Sequence, residues 1–122
     1  MITIMPADKA FLEEIHAPAG VEAMVLRDAD GTVEGHALFR MADKETVEIL
    51  RAECPLPMMT EALVRSVLNA GDCRGAKDGV CRIEALAPIL RALEFQKKQE
   101  EWRISIDAFF RAPCPSEKQD HS

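Results

Sequence analysis

The sequence predicts a single α+β domain, a mixed β-sheet with helices packed on it, and three observations lead there. The chain has 122 residues, 48% of them hydrophobic and 30% charged, enough for one sizeable core. Between Val21 and Glu53, three consecutive segments carry strand signals, separated by short polar turns, which is the signature of an antiparallel meander. Beyond Glu53 the apolar spacing changes to that of a helix, and helical and extended segments then alternate, giving β-α-β-α-β.

Taken in order, residues 2–5 (ITIM) read as a short first strand ended by Pro6. ADKAFLEEIHAP follows as a short helix with Asp8 as N-cap and Phe11, Leu12 and Ile15 on one face; Pro18 and Gly20 stop it. VEAMVLRD alternates Val21, Ala23 and Val25 against Glu22, Met24 and Leu26, and Asp28-Ala29-Asp30-Gly31 is a turn. TVEGHALFRM and TVEILRAE complete the meander across a turn at Ala42–Glu45. Met59, Leu63, Val64, Val67 and Leu68 then mark a helix to about Arg74, with Gly75 as its left-handed cap. Gly71 within it costs about 1 kcal/mol relative to Ala, unless close packing on the sheet requires it. DGVCRIE is a short strand, and Leu86, Ile89, Leu90 and Leu93 mark another helix with Pro88 in its first turn. QKKQEE reads as a solvated run, and EWRISIDAFF as a last strand reaching Phe109. One domain over residues 1–114 is expected, with a disordered tail at 115–122.

Composition excludes several function classes. The net charge is −6 and no dense Lys/Arg run is present, which argues against nucleic acid or an anionic membrane surface as partner. No apolar stretch approaches a membrane span, and MITIMPADKAFLEEI lacks the basic head and apolar run of a signal peptide. The four cysteines, Cys54, Cys73, Cys81 and Cys114, form no C-x-x-C pair; reduced thiols and a cytoplasmic location are expected.

In the segments VEGHALF, VEILRAEC, MTEALVRSVLNAGDCRGA, DGVCRI and APILRALEF the chain resembles the GNAT acetyltransferase superfamily over residues 21–110. The resemblance implies a GNAT-like central sheet and acetyl-CoA as possible cofactor, held at the turn ECPLPMMT. The family pattern there is Arg/Gln-x-x-Gly-x-Gly/Ala, whose glycines let backbone N–H groups approach a pyrophosphate at a helix N-terminus. Aligned through Leu63, the glycine positions fall on Met58 and Thr60 and the basic position on Pro55; Pro55 and Pro57 also lack N–H donors. Two readings remain: a plain strand-to-helix turn stiffened by prolines, or an anion site using the N–H groups of Met58, Met59 and Thr60. The family's frequent Tyr acid falls on Leu90 in a chain without Tyr, its strand Asn on Ile83, and the glycine of its Gly-Phe ending on Glu94 beside Phe95. A carboxylate base on the fourth strand would be Glu48, whose alternative is a solvated or ion-paired residue. Leu50 and Ala52 would hydrogen-bond the pantetheine arm.

Spacing gives no sign of a metal site, for which four ligands must converge. The thiols read as small buried hydrophobes, with Cys54, just before a helix, as the one conceivable nucleophile. His36 shares a strand face with Glu34 and Leu38, as a substrate contact or merely half exposed. Two functions follow. One is an acyl-CoA-dependent N-acyltransferase with a degenerate cofactor loop. The other is a non-catalytic module acting through a protein partner or a homodimer, with Trp102, Phe109 and Phe110 as the contact. An open cleft between the fourth and fifth strands with free N–H groups favours the first; a cleft filled by Met58, Met59 or Leu90 favours the second.

Overall fold

The computed structural model describes residues 2–111, without the side chain of Arg111. The expected tail and Cys114 lie outside the described residues.

The chain first pairs β1 (Thr3–Pro6) with β2 (Glu22–Arg27), after the one short helix α1 (Lys9–Glu14). Asp8 caps α1 as expected, its Oδ1 accepting from Phe11 N–H at 2.9 Å. The helix ends before Pro18, because His16 turns left-handed at φ 57°. β2 pairs antiparallel with β3 (Val33–Asp43), and β3 with β4 (Thr46–Glu53). The turn between β2 and β3 is tied by Asp28 Oδ1, which accepts from Asp30 and Thr32 N–H at 2.8 and 3.0 Å.

The crossover helix α2 (Pro57–Cys73) returns to β5 (Asp78–Cys81), parallel to β4. Gly75 follows α2 at φ 89°, the left-handed position read from the sequence. A 3₁₀ turn (Glu84–Leu86) leads into α3 (Ala87–Ala92), with Pro88 in its first turn. The seven-stranded sheet has the order β1-β2-β3-β4-β5-β7-β6.

The C-terminal segment departs from the expected single strand. Gln96–Lys98 forms β6, which pairs with β7 (Glu101–Ser105), and Ile106–Arg111 is a helix, α4. The solvated run therefore hides a hairpin arm: Gln96, Lys97 and Lys98 are all exposed and carry no apolar alternation to betray it. Period two fails after Ile106, whose N–H closes on Lys77 O at 2.9 Å while Ser105 Oγ accepts from Ala108 N–H at 3.3 Å. That hydroxyl satisfies a helix N-terminal donor and starts α4. β7 is thus interior to the sheet, and Trp102 is buried at 3% exposure, its Nε1 3.4 Å from Glu84 Oε2. Trp102 cannot serve as the exposed dimer contact expected of it; of that trio only Phe110 is exposed.

The main core lies on one sheet face under α2 and α3, where Phe39, Val47 and Ile49 meet Leu63, Val64, Val67, Leu68 and Leu90. α2 sits close enough that a Cβ on Gly71 would stand 2.6 Å from Val47 Cγ1. The packing condition for a glycine there is met.

Candidate functional site: the splayed strands and the turn into α2

β4 and β5 pair only from Thr46–Asp78 to Ile49–Cys81, although β4 continues to Glu53. The register against β3 steps from Leu38–Arg51 to Phe39–Ile49, leaving Leu50 as a bulged residue without a partner. A bulge bends its strand and raises its twist. Here it coincides with the point where β4 and β5 separate.

The resulting cleft has a volume of about 650 Å³. Ala52, Glu53 and Cys54 of the β4 end line it together with Pro55, Pro57 and Thr60 of the turn. Leu86 and Ile89 face it from the α3 side, and Glu34, Gly35 and His36 from β3. Among the described residues, no Lys or Arg lines it. Leu90 is fully buried in the core, and Met58 is 75% exposed. Neither fills the cleft.

The residues expected at the cofactor turn separate into distinct roles. Thr60 is buried, and its hydroxyl lies 3.4 Å from Cys54 O and 3.3 Å from Leu56 O, within hydrogen-bonding reach of both. The N–H groups of Met59 and Thr60 both return to Leu56 O at 3.0 Å. Of the three donors considered, only Met58 N–H has no recorded partner among the described residues. α2 begins with Leu56 as N-cap, which offers no side-chain hydrogen bond. Met59 packs half-buried against the core. So Ala52 and Thr60 share the cleft wall, Leu50 lies where β4 and β5 part, and Leu50, Met58 and Met59 are not among its lining residues.

Glu48 is also outside that lining. It is 6% exposed and held by two guanidiniums: Arg40 Nε and Nη2 donate to Oε1 at 3.1 and 2.9 Å, and Arg82 Nη1 to Oε2 at 2.8 Å. The pairing continues through Arg82–Glu101 at 3.1 Å, Glu101–Arg103 at 3.0 Å and Arg103–Asp78 at 3.1 Å. These six alternating charges cross β3 to β7 on the face away from α2, since Arg40, Glu48, Val80 and Arg103 stand in register. Arg40 meets Glu48 only because the register steps between Met41 and Asp43; an unshifted hairpin from the Asp43–Thr46 pair would set Met41 there instead. Arg82 carried no sequence signal either, lying just beyond a strand whose neighbour is fixed only by the crossover.

His36 is the least satisfied polar group here. Its Nε2 is buried without a hydrogen-bond partner among the described residues, and Phe11 meets its ring edge-on with centroids 5.8 Å apart. Burial pushes its pKa down, partly opposed by Glu53. The thiols are free where described; burial pushes the Cys81 pKa up, as for an inert core thiol. No group of three or more potential metal ligands occurs among the described residues, and no described helix is long and apolar enough to cross a membrane.

No family model matches the sequence, and no curated protein does. Solved structures do match. The spermidine/spermine N-acetyltransferase of Vibrio cholerae superposes with a TM-score of 0.73 at 8% identity, covering 93% of this chain and 100% of that one. The ribosomal-protein-S18-alanine N-acetyltransferase of Escherichia coli gives 0.71 at 11% identity, covering 87% and 94%. A GNAT family acetyltransferase of Elizabethkingia anophelis with acetyl-CoA bound gives 0.64 at 14% identity, covering 80% and 78%. At these identities the likeness is one of fold. The bulged β4, the splayed β5 and the helix that follows are thus set in the fold of the GNAT acetyltransferases, and that is the fold of this chain.

Proposed function

We propose that this protein is a non-catalytic GNAT-fold binding module, keeping the cleft of that fold without a pyrophosphate site. The observation that carries this reading is the state of the turn into α2. Binding a pyrophosphate there takes convergent N–H donors and positive potential. Two positions are prolines, the Met59 and Thr60 amides are spent on Leu56 O, and the charged residues lining the cleft are Glu34 and Glu53. A polyanion would meet carboxylates with one of the three expected amides, that of Met58, left to hold it.

A second reading rests on a specific observation as well. The cleft is open, and α2 presents an N-terminus with no side-chain cap. An acyl-CoA-dependent N-acyltransferase would use that space, with Leu50 and Ala52 toward the pantetheine arm and the Met58 amide toward phosphate. Glu48 would serve as base only after Arg40 or Arg82 swings off it; both are more than half exposed.

Calorimetric titration with acetyl-CoA and free CoA separates the two. The module reading expects no saturable heat up to millimolar cofactor. Micromolar binding that is lost in Met58→Trp would replace it with the acyltransferase reading, and Glu48→Gln would then be assayed against amine acceptors.

A further inference from the structure

Resting on the module reading, we infer that the gap between β4 and β5 takes an extended peptide segment of a partner protein, apolar at alternate positions and bearing Lys or Arg. The peptide adds as a strand to the free edge of β4.

The first support is the backbone. Arg51, Ala52 and Glu53 pair with β3 on one side, and among the described residues no strand faces residues 50–53 on the other beyond the Ile49–Cys81 pair. This is a sheet edge inside the molecule, and unpaired strand edges are templates for strand addition. Four residues of strand span roughly 13 Å, so a short extended segment suffices to use it.

The walls give the second support. Leu86 and Ile89 on one side and Pro55 and Pro57 on the other are apolar, which suits side chains projecting to alternate sides of an inserted strand. Exposed Leu56 and Met58 flank the turn at the same end. Charge supplies the third. Glu34 and Glu53 stand in the cleft with no lining cation among the described residues; Arg51 comes within 4.0 Å of Glu53. Past Val33 the surface continues into a smaller groove beside α1, lined by Asp8, Phe11 and Glu14, with Arg27 its one cation among the described residues. A cationic peptide is thus favoured over an acidic one, in a chain of net charge −6.

The test selects a phage-displayed library of random peptides of about ten residues on the full-length protein. Enriched sequences are then synthesised and titrated by calorimetry. Expected are alternating apolar sequences with at least one Lys or Arg, and binding roughly tenfold or more weaker to a Glu34→Lys/Glu53→Lys variant of unchanged circular dichroism. Hydrogen exchange should slow at amides within residues 50–53. No enrichment over an unrelated protein, peptides indifferent to the charge reversal, or protection elsewhere would each overturn the inference. Acetyl-CoA is titrated into the same samples. If it binds at micromolar concentration the module reading itself fails, whereas absence of both cofactor and peptide binding removes only the strand-addition proposal.

Discussion

β4 and β5 are joined at one end and apart at the other, and the two ends are built from different residues. At the joined end, Gly71 of α2 and Gly79 of β5 bring helix and sheet into direct contact: a Cβ on Gly71 would lie 2.6 Å from Val47 Cγ1, and one on Gly79 2.5 Å from Leu68 Cδ2. At the open end, where a bound pyrophosphate would want glycines, stand Met58 and Thr60, just after Pro55 and Pro57. Glycine occurs where packing demands it and not where that ligand would. The difference teaches that the framework of this fold and its usual cofactor site are separable: one is specified by side-chain volume, the other by backbone donors.

The sharpest way to break the comparison is Gly71→Ala. Helix propensity alone would favour Ala by about 1 kcal/mol. The new methyl group, however, meets Val47, whose branched Cβ cannot rotate out of the way. Overpacking should win, for a net loss of about 1–3 kcal/mol in urea unfolding. A neutral or stabilising result would mean that α2 can lift off the sheet and that the joined end is not set by Gly71.

Second in size is Glu48→Gln, on the other face of the joined end. Removing the carboxylate leaves Arg40 and Arg82 without their shared counterion, but both guanidiniums reach solvent. A loss of about 1 kcal/mol is expected, well below that for a fully buried pair. No change in the urea midpoint would reduce the six-charge chain to a solvated surface.

The third test adds a glycine where the family has one. Glu94, after α3, takes φ 71° and donates its N–H to Arg91 O at 2.9 Å. Left-handed backbone costs a side-chain-bearing residue about 1 kcal/mol. Glu94→Gly should therefore raise stability by up to about 1 kcal/mol, seen as a higher urea midpoint at unchanged slope. A lower midpoint would show that the flexibility glycine gives the unfolded chain outweighs the relief of strain.

How much of this was legible in sequence follows from the same division. The meander, α2 and its left-handed Gly75 were readable because period and cap chemistry are local. Even the need for Gly71 was readable as a condition. The hairpin of β6 and β7 was not, since its outer arm is Gln96-Lys97-Lys98 and offers no apolar signal. Nor was the end of β7, where Ile106 keeps the alternation while Ser105 starts a helix. In the cleft, the missing glycines and donors were visible, but not that Met59 and Thr60 spend their amides on Leu56, nor that Glu48 is held by two arginines. Those depend on register and on the β5 crossover, which no local pattern encodes.

The smallest expected effect lies at the open end, and it is a pH dependence. His36 Nε2 is buried without a partner among the described residues, beside Phe11 and across from Glu53, and burial holds its pKa below the ordinary histidine value. The groups around it are Glu53 and Arg51 on β4, which oppose one another, and Glu34 on its own strand. With a depressed pKa the unfolded chain binds the proton first, so stability is complete above the unfolded value near 6.5 and falls as pH drops below it. The carboxylates with depressed pKa, Asp28, Asp43 and Glu84, lose their contribution only in a more acid range, below about pH 4.5. Urea midpoints measured between about pH 7 and pH 5 therefore isolate the histidine, and the midpoint should decline across that window. His36→Gln should flatten that decline. A decline that persists in the variant would assign it to other groups, and an equally flat profile in both would mean that the ring finds a donor or acceptor in solution. In that case the β3 wall of the cleft moves, and the open end is softer than the joined one.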